Sequence, residues 1–319
     1  PSRDIGVLTL YLRVHLVWNK DYSSVLISQE RQATDSIIRF GLADANPAPT
    51  PMECHFDTTP IPEDNVSPNF EYHSAMGDLL WLGRMAFPQI FLAVIILSSY
   101  ATNFTATHVT AIKRIFRYLK GVAHKGIRIT RDPLINDIPF TFALTIFTDA
   151  DWGACKATRR SLTGAVITLF GNMVTITCRK QKTVALSTAE SELMAISEGL
   201  KDYVSIRNIL DEMASPARTA YMAFPRPVTL FCDNASAIFI GQNRVNNSRT
   251  RHIDFRYMRI RDEVQDGAIV LEHIPGVDNP ADLFTKPLAR EPFERLIQTL
   301  GFAMTEPAPP VTYSDIVRN

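Results

Sequence analysis

Hydrophobic positions along this chain fall into two kinds of run. Between Tyr72 and Leu119 they recur at helical spacing, and from Phe142 onward they form β-branched and aromatic strands. Before both, Leu8–Trp18 and Val25–Ile27 predict two strands joined around Asn19-Lys20-Asp21-Tyr22. A helix should follow, with Ser28 at its N-cap and Glu30 in its first turn, running to Phe40 and stopping at Gly41. Asp44–Asn69 contains six prolines (Pro47, Pro49, Pro51, Pro60, Pro62, Pro68) and few apolar residues, a linker-like pattern. Three helices are then predicted: one around Leu79, Leu80 and Leu82; a buried one over Ile90–Leu97; and one with Ile112, Ile115, Phe116 and Leu119 at i, i+3, i+4, i+7. The second part predicts strands at Phe142–Asp149, Leu162–Phe170 and Met173–Cys178, with a tight turn at Gly171-Asn172. A long helix over Ser187–Glu212, a strand at Val228–Cys232, helices from Asp233 and over Arg249–Val264, a strand at Ala268–Ile274 and a last helix over Asn279–Thr285 complete the order. Such an order predicts a mixed five-stranded sheet flanked by helices, an α/β (α+β mixed) fold, preceded by a mainly helical region with a short β-hairpin. The tail after Arg290 shows little pattern.

Composition sharpens this picture only in places. At 319 residues with 46% hydrophobic and 21% charged residues, the chain can bury sizeable cores, and its length suggests about two domains. The formal net charge is zero, so a nucleic-acid partner would be held by local patches. Four scattered cysteines (Cys54, Cys155, Cys178, Cys232) with no C-x-x-C argue against zinc or a disulfide framework and for a reducing compartment. The longest apolar run, Ile90–Leu97, is too short to span a bilayer, so no membrane partner is expected, and no signal-peptide pattern is present. The chain starts at Pro1, in mid-pattern, as a piece of a longer polypeptide would. From Leu79 through Arg131 there are eight Lys or Arg and no acid. Lys113, Arg114, Arg117 and Lys120 therefore line one side of the third helix, either as a solvated face or as a surface that tracks phosphates.

The candidate chemistry lies in the acids of the second part. Asp149 and Asp151 close an apolar strand, and i, i+2 side chains share a face of a strand. Unpaired carboxylates are costly away from water, so either a salt bridge or a metal ion should meet them. Ser187 and Glu190 have the spacing of a capping box, which gives Glu190 a structural task and leaves Glu192, beside the stripe Leu193, Ile196, Leu200 and Val204, as the acid that faces the sheet. Asp233 ends the strand Val228–Cys232, where open α/β sheets place sites, although it competes with Asn234 as an N-cap. Asp282 follows Asn279 (N-cap) and Pro280 at a helix start, a position that also suits the helix dipole. Four such acids without a His or Cys ligand cluster suit a pair of hard divalent cations.

Several collinear blocks resemble the ribonuclease H domain of copia-type LTR retrotransposon polyproteins. They are Thr148-Asp149-Ala150-Asp151-Trp152-Gly153, Arg159-Arg160-Ser161-Leu162-Thr163-Gly164, Lys180 through Glu192, Phe231-Cys232-Asp233-Asn234, Ser248 through Asp254, and Asn279 through Leu288. Upstream, Asp4-Ile5-Gly6, Ile27-Ser28-Gln29, Thr50-Pro51-Met52, Gly77 through Leu82 and Arg117 through Gly121 resemble the end of the same polyproteins' reverse transcriptase. Phe87-Pro88-Gln89-Ile90 departs from the family, which has Arg before the Pro and Asp after it, and the polymerase motif Tyr-x-Asp-Asp is missing. The resemblance implies a ribonuclease H-like sheet within residues 141–290. It further implies the end of a polymerase palm and thumb in 1–57, a linker at 58–70, a thumb- or connection-like segment in 71–132 and a tail at 291–319. It implies endonucleolytic hydrolysis of the RNA strand of RNA–DNA hybrids, with two Mg²⁺ ions, for which Mn²⁺ can substitute, held by Asp149, Glu192, Asp233 and Asp282. Asp151 becomes a supporting acid. Arg249, Arg251, His252 and Arg256, with Lys113 and Arg117, are the expected phosphate contacts, Arg259 and Arg261 continuing the basic helix. The other implied partner is the remainder of the reverse transcriptase, in an intracellular setting, cytoplasmic or nuclear. Two rivals stand beside this: a catalytically silent binding or scaffold fragment, and a three-acid sheet of integrase or resolvase type, against which the fourth acid argues.

Overall fold

The computed structural model describes residues 6–54, 56, 69–131, 144–214, 227–243 and 251–302, with the backbone alone for 251–256. The expected polarity of Leu8–Trp18 as one strand gives way to two, β1 (Leu10–Tyr11) and β2 (Val14–Trp18), because Leu12 and Arg13 both take positive φ and turn the chain back. Next, β3 (Ser24–Ser28) pairs antiparallel with β2, and α1 (Glu30–Arg39) follows. Gln29, not Ser28, is its N-cap residue, although the Ser28 hydroxyl accepts from the Glu30 N–H at 3.3 Å. Then come α2 (Tyr72–Met85), α3 (Phe91–Ser98) and α4 (Ala106–Val122). The predicted stripe Ile112, Ile115, Phe116 and Leu119 is fully buried on α4. A strand that the hydrophobic pattern had not distinguished, β4 (Ile127–Thr130), pairs with β3 and completes a sheet of order β1-β2-β3-β4.

The basic side of α4 has a structural use. Arg114 bonds Glu53 at 2.8 Å and Thr50 at 3.2 Å, Arg117 Nε donates to the Asn46 carbonyl at 2.7 Å, and Lys120 donates to the carbonyls of Ala43 and Ala45. These long side chains hold the first part of the proline-rich segment, in which Ala48, Thr50 and Met52 are buried. Residues 44–54 are loop, as the prolines suggest, and the loop is packed on α4; the rest of that segment, apart from 56 and 69, lies outside the described residues.

The second unit, residues 132–286, contains β5 (Leu144–Asp151), β6 (Leu162–Leu169), β7 (Asn172–Lys180), α5 (Thr188–Ala214), β8 (Val228–Cys232), α6 (Ala235–Gln242), α7 (Arg251–Gln265) and β9 (Ile269–His273). Its sheet has the order β7-β6-β5-β8-β9, antiparallel across β5–β6–β7 and parallel across β5–β8–β9. This is the mixed, helix-flanked five-stranded sheet that the sequence predicts. The β6–β7 turn sits one residue earlier than expected, on Phe170 and Gly171, both at positive φ. Leu193, Ile196 and Leu200 of α5 pack with Ile146, Ile167 and Leu230 of the sheet. A 3₁₀ turn at Pro280–Phe284 takes the place of the predicted last helix and lies close against β6. A Cβ on Gly164 would come within 2.7 Å of the Ala281 carbonyl and of Thr285. Gly164→Ala should therefore cost about 1–3 kcal/mol by overpacking and push the turn outward. A melting midpoint equal to that of the unsubstituted protein would refute this.

The chain then returns to the first unit, which comprises residues 1–131 and 287–319. Contrary to the patternless tail that was expected, α8 (Arg290–Thr299) buries Phe293, Leu296 and Ile297. Phe293 meets Tyr118 edge-on, and Phe302 packs near Phe87 and bridges to Ile127.

Candidate metal centre

Each acid reaches the centre by a local device. Trp152 donates its indole N–H to the Ala185 carbonyl and the Gly153 N–H bonds the Ser161 hydroxyl, which fixes the chain as it leaves β5 behind Asp149. Ser187 accepts from the Glu190 N–H at 3.1 Å, and the Glu190 carboxylate accepts from the Leu186 N–H at 2.7 Å, so Glu190 is engaged in capping α5. Gln181 reinforces this end of the helix by donating to Thr163 and to the Ser191 carbonyl. Asn234, not Asp233, caps α6, its side chain accepting from the Ala237 N–H at 3.0 Å. That leaves the Asp233 carboxylate unclaimed by the helix. Asn279 accepts from the Ala281 N–H and donates to the Thr148 carbonyl at 2.9 Å, pinning the 3₁₀ turn beside β5 with Asp282 on it.

As a result, one oxygen from each of Asp149, Asp233 and Asp282 lies within 4.8 Å of the others, and a second group joins Glu192, Cys232 and Asp233 within the same span. Asp149 is 1% and Glu192 5% exposed, while Asp233 and Asp282 are half-buried. The four predicted acids thus line one continuous site. The three-carboxylate group offers oxygens alone, the donor type that hard divalent cations take, so these acids could hold such an ion. The Cys232 thiol donates to Glu192 at 3.7 Å, and burial, then the Glu192 charge, raise its pKa. As a neutral thiol it adds no soft ligand.

A residue the sequence reading passed over also lies here. Lys286 Nζ is 3.2 Å from Asp149 Oδ1 and 3.0 Å from Asp282 Oδ1, and the Thr285 hydroxyl donates to Asp149 Oδ2. The question posed by the buried acid of β5 therefore has a partial answer: a salt bridge meets it. A lysine ahead of Pro287 looks like surface charge, and only the fold brings it to an acid 137 residues away.

Burial chiefly, then Asp149 and Asp233, push Glu192 up to about 9; burial, then Asp149, push Asp282 up to about 7. Burial and Asp149 raise Asp233, and burial raises Asp151. For Lys286 burial alone would lower the pKa, but the charges of Asp149 and Asp282 together reverse this and raise it. Between the ordinary carboxylate range and pH about 9, the folded metal-free site holds protons that the unfolded chain does not, so its stability falls as pH rises through that window. A cation binds the ionised acids and displaces those protons. The rise in melting temperature on adding Mg²⁺ should therefore grow between pH 6 and 9; a rise independent of pH would contradict the assignment.

The expected phosphate contacts are placed less completely. Arg249 lies outside the described residues, as do the side chains of Arg251, His252 and Arg256. Lys113 is exposed on α4, and Arg117 bonds the Asn46 carbonyl.

No protein-family model matches the chain. The retrovirus-related Pol polyprotein from transposon TNT 1-94 of Nicotiana tabacum is 29% identical over 306 residues, covering 94% of this chain and 22% of that protein. The one from transposon RE1 of Arabidopsis thaliana is 30% identical over 282 residues, 88% of this chain and 18% of that protein. By sequence, the chain is a relative of retrovirus-related transposon Pol polyproteins. It spans about a fifth of the length of these two Pol polyproteins. Among solved structures, LC11 ribonuclease H1 from compost is 19% identical with a TM-score of 0.34, over 49% of this chain and 99% of that one. Among the described residues of this Pol relative, no helix is long and apolar enough to cross a membrane.

Proposed function

We propose that the second unit is the ribonuclease H of a copia-type Pol polyprotein, cutting the RNA strand of RNA–DNA hybrids, and that the first unit derives from the end of its reverse transcriptase. The observation that carries this is the convergence of Asp149, Asp233 and Asp282 within 4.8 Å, with Glu192 beside them. The likeness to retrovirus-related transposon Pol polyproteins supports the same reading. A pair of Mg²⁺ or Mn²⁺ ions held there would activate water and stabilise the leaving oxygen. Asp149 and Asp233, the latter common to both ligand groups, would hold the ions, Asp282 would complete one coordination set, and Glu192 would bind an ion and orient water. Water adds to phosphorus as the P–O3′ bond breaks, leaving 3′-hydroxyl and 5′-phosphate ends. The wide minor groove of the hybrid, lined by 2′-hydroxyls, would mark the RNA strand. Arg249, Arg251, His252, Arg256, Lys113 and Arg117 remain proposed phosphate contacts.

The test is cleavage of an end-labelled hybrid in Mg²⁺, with double-stranded RNA and double-stranded DNA as controls. Cutting of the hybrid's RNA strand alone, abolished by EDTA, is expected; intact hybrid after prolonged incubation in Mg²⁺ and Mn²⁺ would sink the proposal. Lys286, which already pairs with two of the acids, favours a second reading as a silent hybrid-binding module. Tight hybrid binding without turnover would decide for it.

A further inference from the structure

We propose that Lys286 is a built-in counter-cation: its ammonium holds Asp149 and Asp282 together when no divalent ion is bound, and it competes with the ion that would take the same two oxygens. This rests on the metal reading above and adds to it an unequal pair of ion positions.

The geometry is specific about which position is contested. Lys286 Nζ reaches Oδ1 of both Asp149 and Asp282, whereas Glu192 is met by the Cys232 thiol and the Ala150 backbone. An ion between Asp149 and Asp282 must therefore displace an ammonium, and an ion beside Glu192 and Asp233 need not. The partners also differ in freedom to move. Asp149 is buried on a central strand, but the Lys286 side chain is 37% exposed and ends a flexible four-carbon stem. The lysine can swing into solvent; the aspartate cannot. Two other bonds keep the 3₁₀ turn on β5 without it, Thr285 to Asp149 and Asn279 to the Thr148 carbonyl, and the Lys286 N–H closes the turn on the Asp282 carbonyl. Loss of the ammonium should therefore leave the turn docked.

The experiment uses the full chain and titrates Mg²⁺, and separately Ca²⁺, by calorimetry, with melting in EDTA as a second measurement. Lys286→Gln should melt earlier than the unsubstituted protein in EDTA and bind its weaker ion roughly tenfold more tightly, the scale of one charge-assisted hydrogen bond no longer displaced. Lys286→Arg, which keeps a cation between the oxygens, should restore the weak affinity. Binding by Lys286→Gln alone, with none in the unsubstituted chain, would support the competition in its strongest form. Overturning results are an unsubstituted chain that binds ions while Lys286→Gln binds them equally or less tightly, or Lys286→Arg matching Lys286→Gln. Absence of ion binding in all three proteins would instead remove the metal reading on which the proposal rests.

Discussion

In the Asp149→Asn protein, Mg²⁺-dependent cleavage of a labelled hybrid should fall by at least about a thousandfold, roughly 4 kcal/mol of transition-state stabilisation. Asp149 belongs to the three-carboxylate group and is the most deeply buried of its members. Its amide analogue keeps the shape but removes the charge. It also presents an N–H where either Lys286 or Thr285 now donates. The threonine hydroxyl can turn and accept; the ammonium cannot, so the amide oxygen should face Lys286. Removing one of several crowded negative charges relieves those that raise Glu192 and Asp282. The variant should accordingly melt no earlier than the unsubstituted protein in EDTA, which separates lost chemistry from lost fold. Cleavage above about a tenth of the unsubstituted rate, little more than 1 kcal/mol, would reject Asp149 as a metal ligand.

The second large effect concerns stability of the first unit. Phe302→Ala should destabilise that unit by about 3–5 kcal/mol, the usual cost of emptying a buried phenyl position. Phe302 is 4% exposed, packs near Phe87 and pairs with Ile127, next to the Gly301 carbonyl that accepts from Arg128. Phe293→Ala, which removes the edge contact with Tyr118, should act in the same direction. Segment-resolved hydrogen exchange provides the measurement. Protection should fall in α4 and β4 and stay unchanged in β5, β6 and α5. Equal loss in both sets would show that residues 287–302 do not belong to the first unit's core.

Much of the site was legible because each acid sits where local rules assign tasks to its neighbours. Capping arithmetic separated Glu190 from Glu192, and an Asn next to Asp233 was available to cap α6. The sheet was legible because its strands are apolar runs punctuated by turns. Lys286 was not, because its significance depends on a pairing across the whole unit. The cations of α4 were legible only in part: a one-sided stripe of charge shows a basic face, but not that Arg117 and Lys120 also serve carbonyls of a proline-rich segment far along the chain. Helix α8 did carry a signal. Phe293, Leu296, Ile297 and Leu300 follow i, i+3, i+4, i+7, but the prolines after them drew the whole tail into one class.

The return of residues 287–302 to the first unit has a consequence for processing by proteases. The second unit is an insertion, joined to the same neighbour at both of its ends. A single cut between 131 and 144 would separate the chain covalently but leave the fragments clasped through residues 287–302, in which Phe293 of α8 would meet Tyr118 in trans and Phe302 would meet Phe87 and Ile127. Liberating the second unit would take a second cut beyond Lys286, at the expense of the first unit's own core.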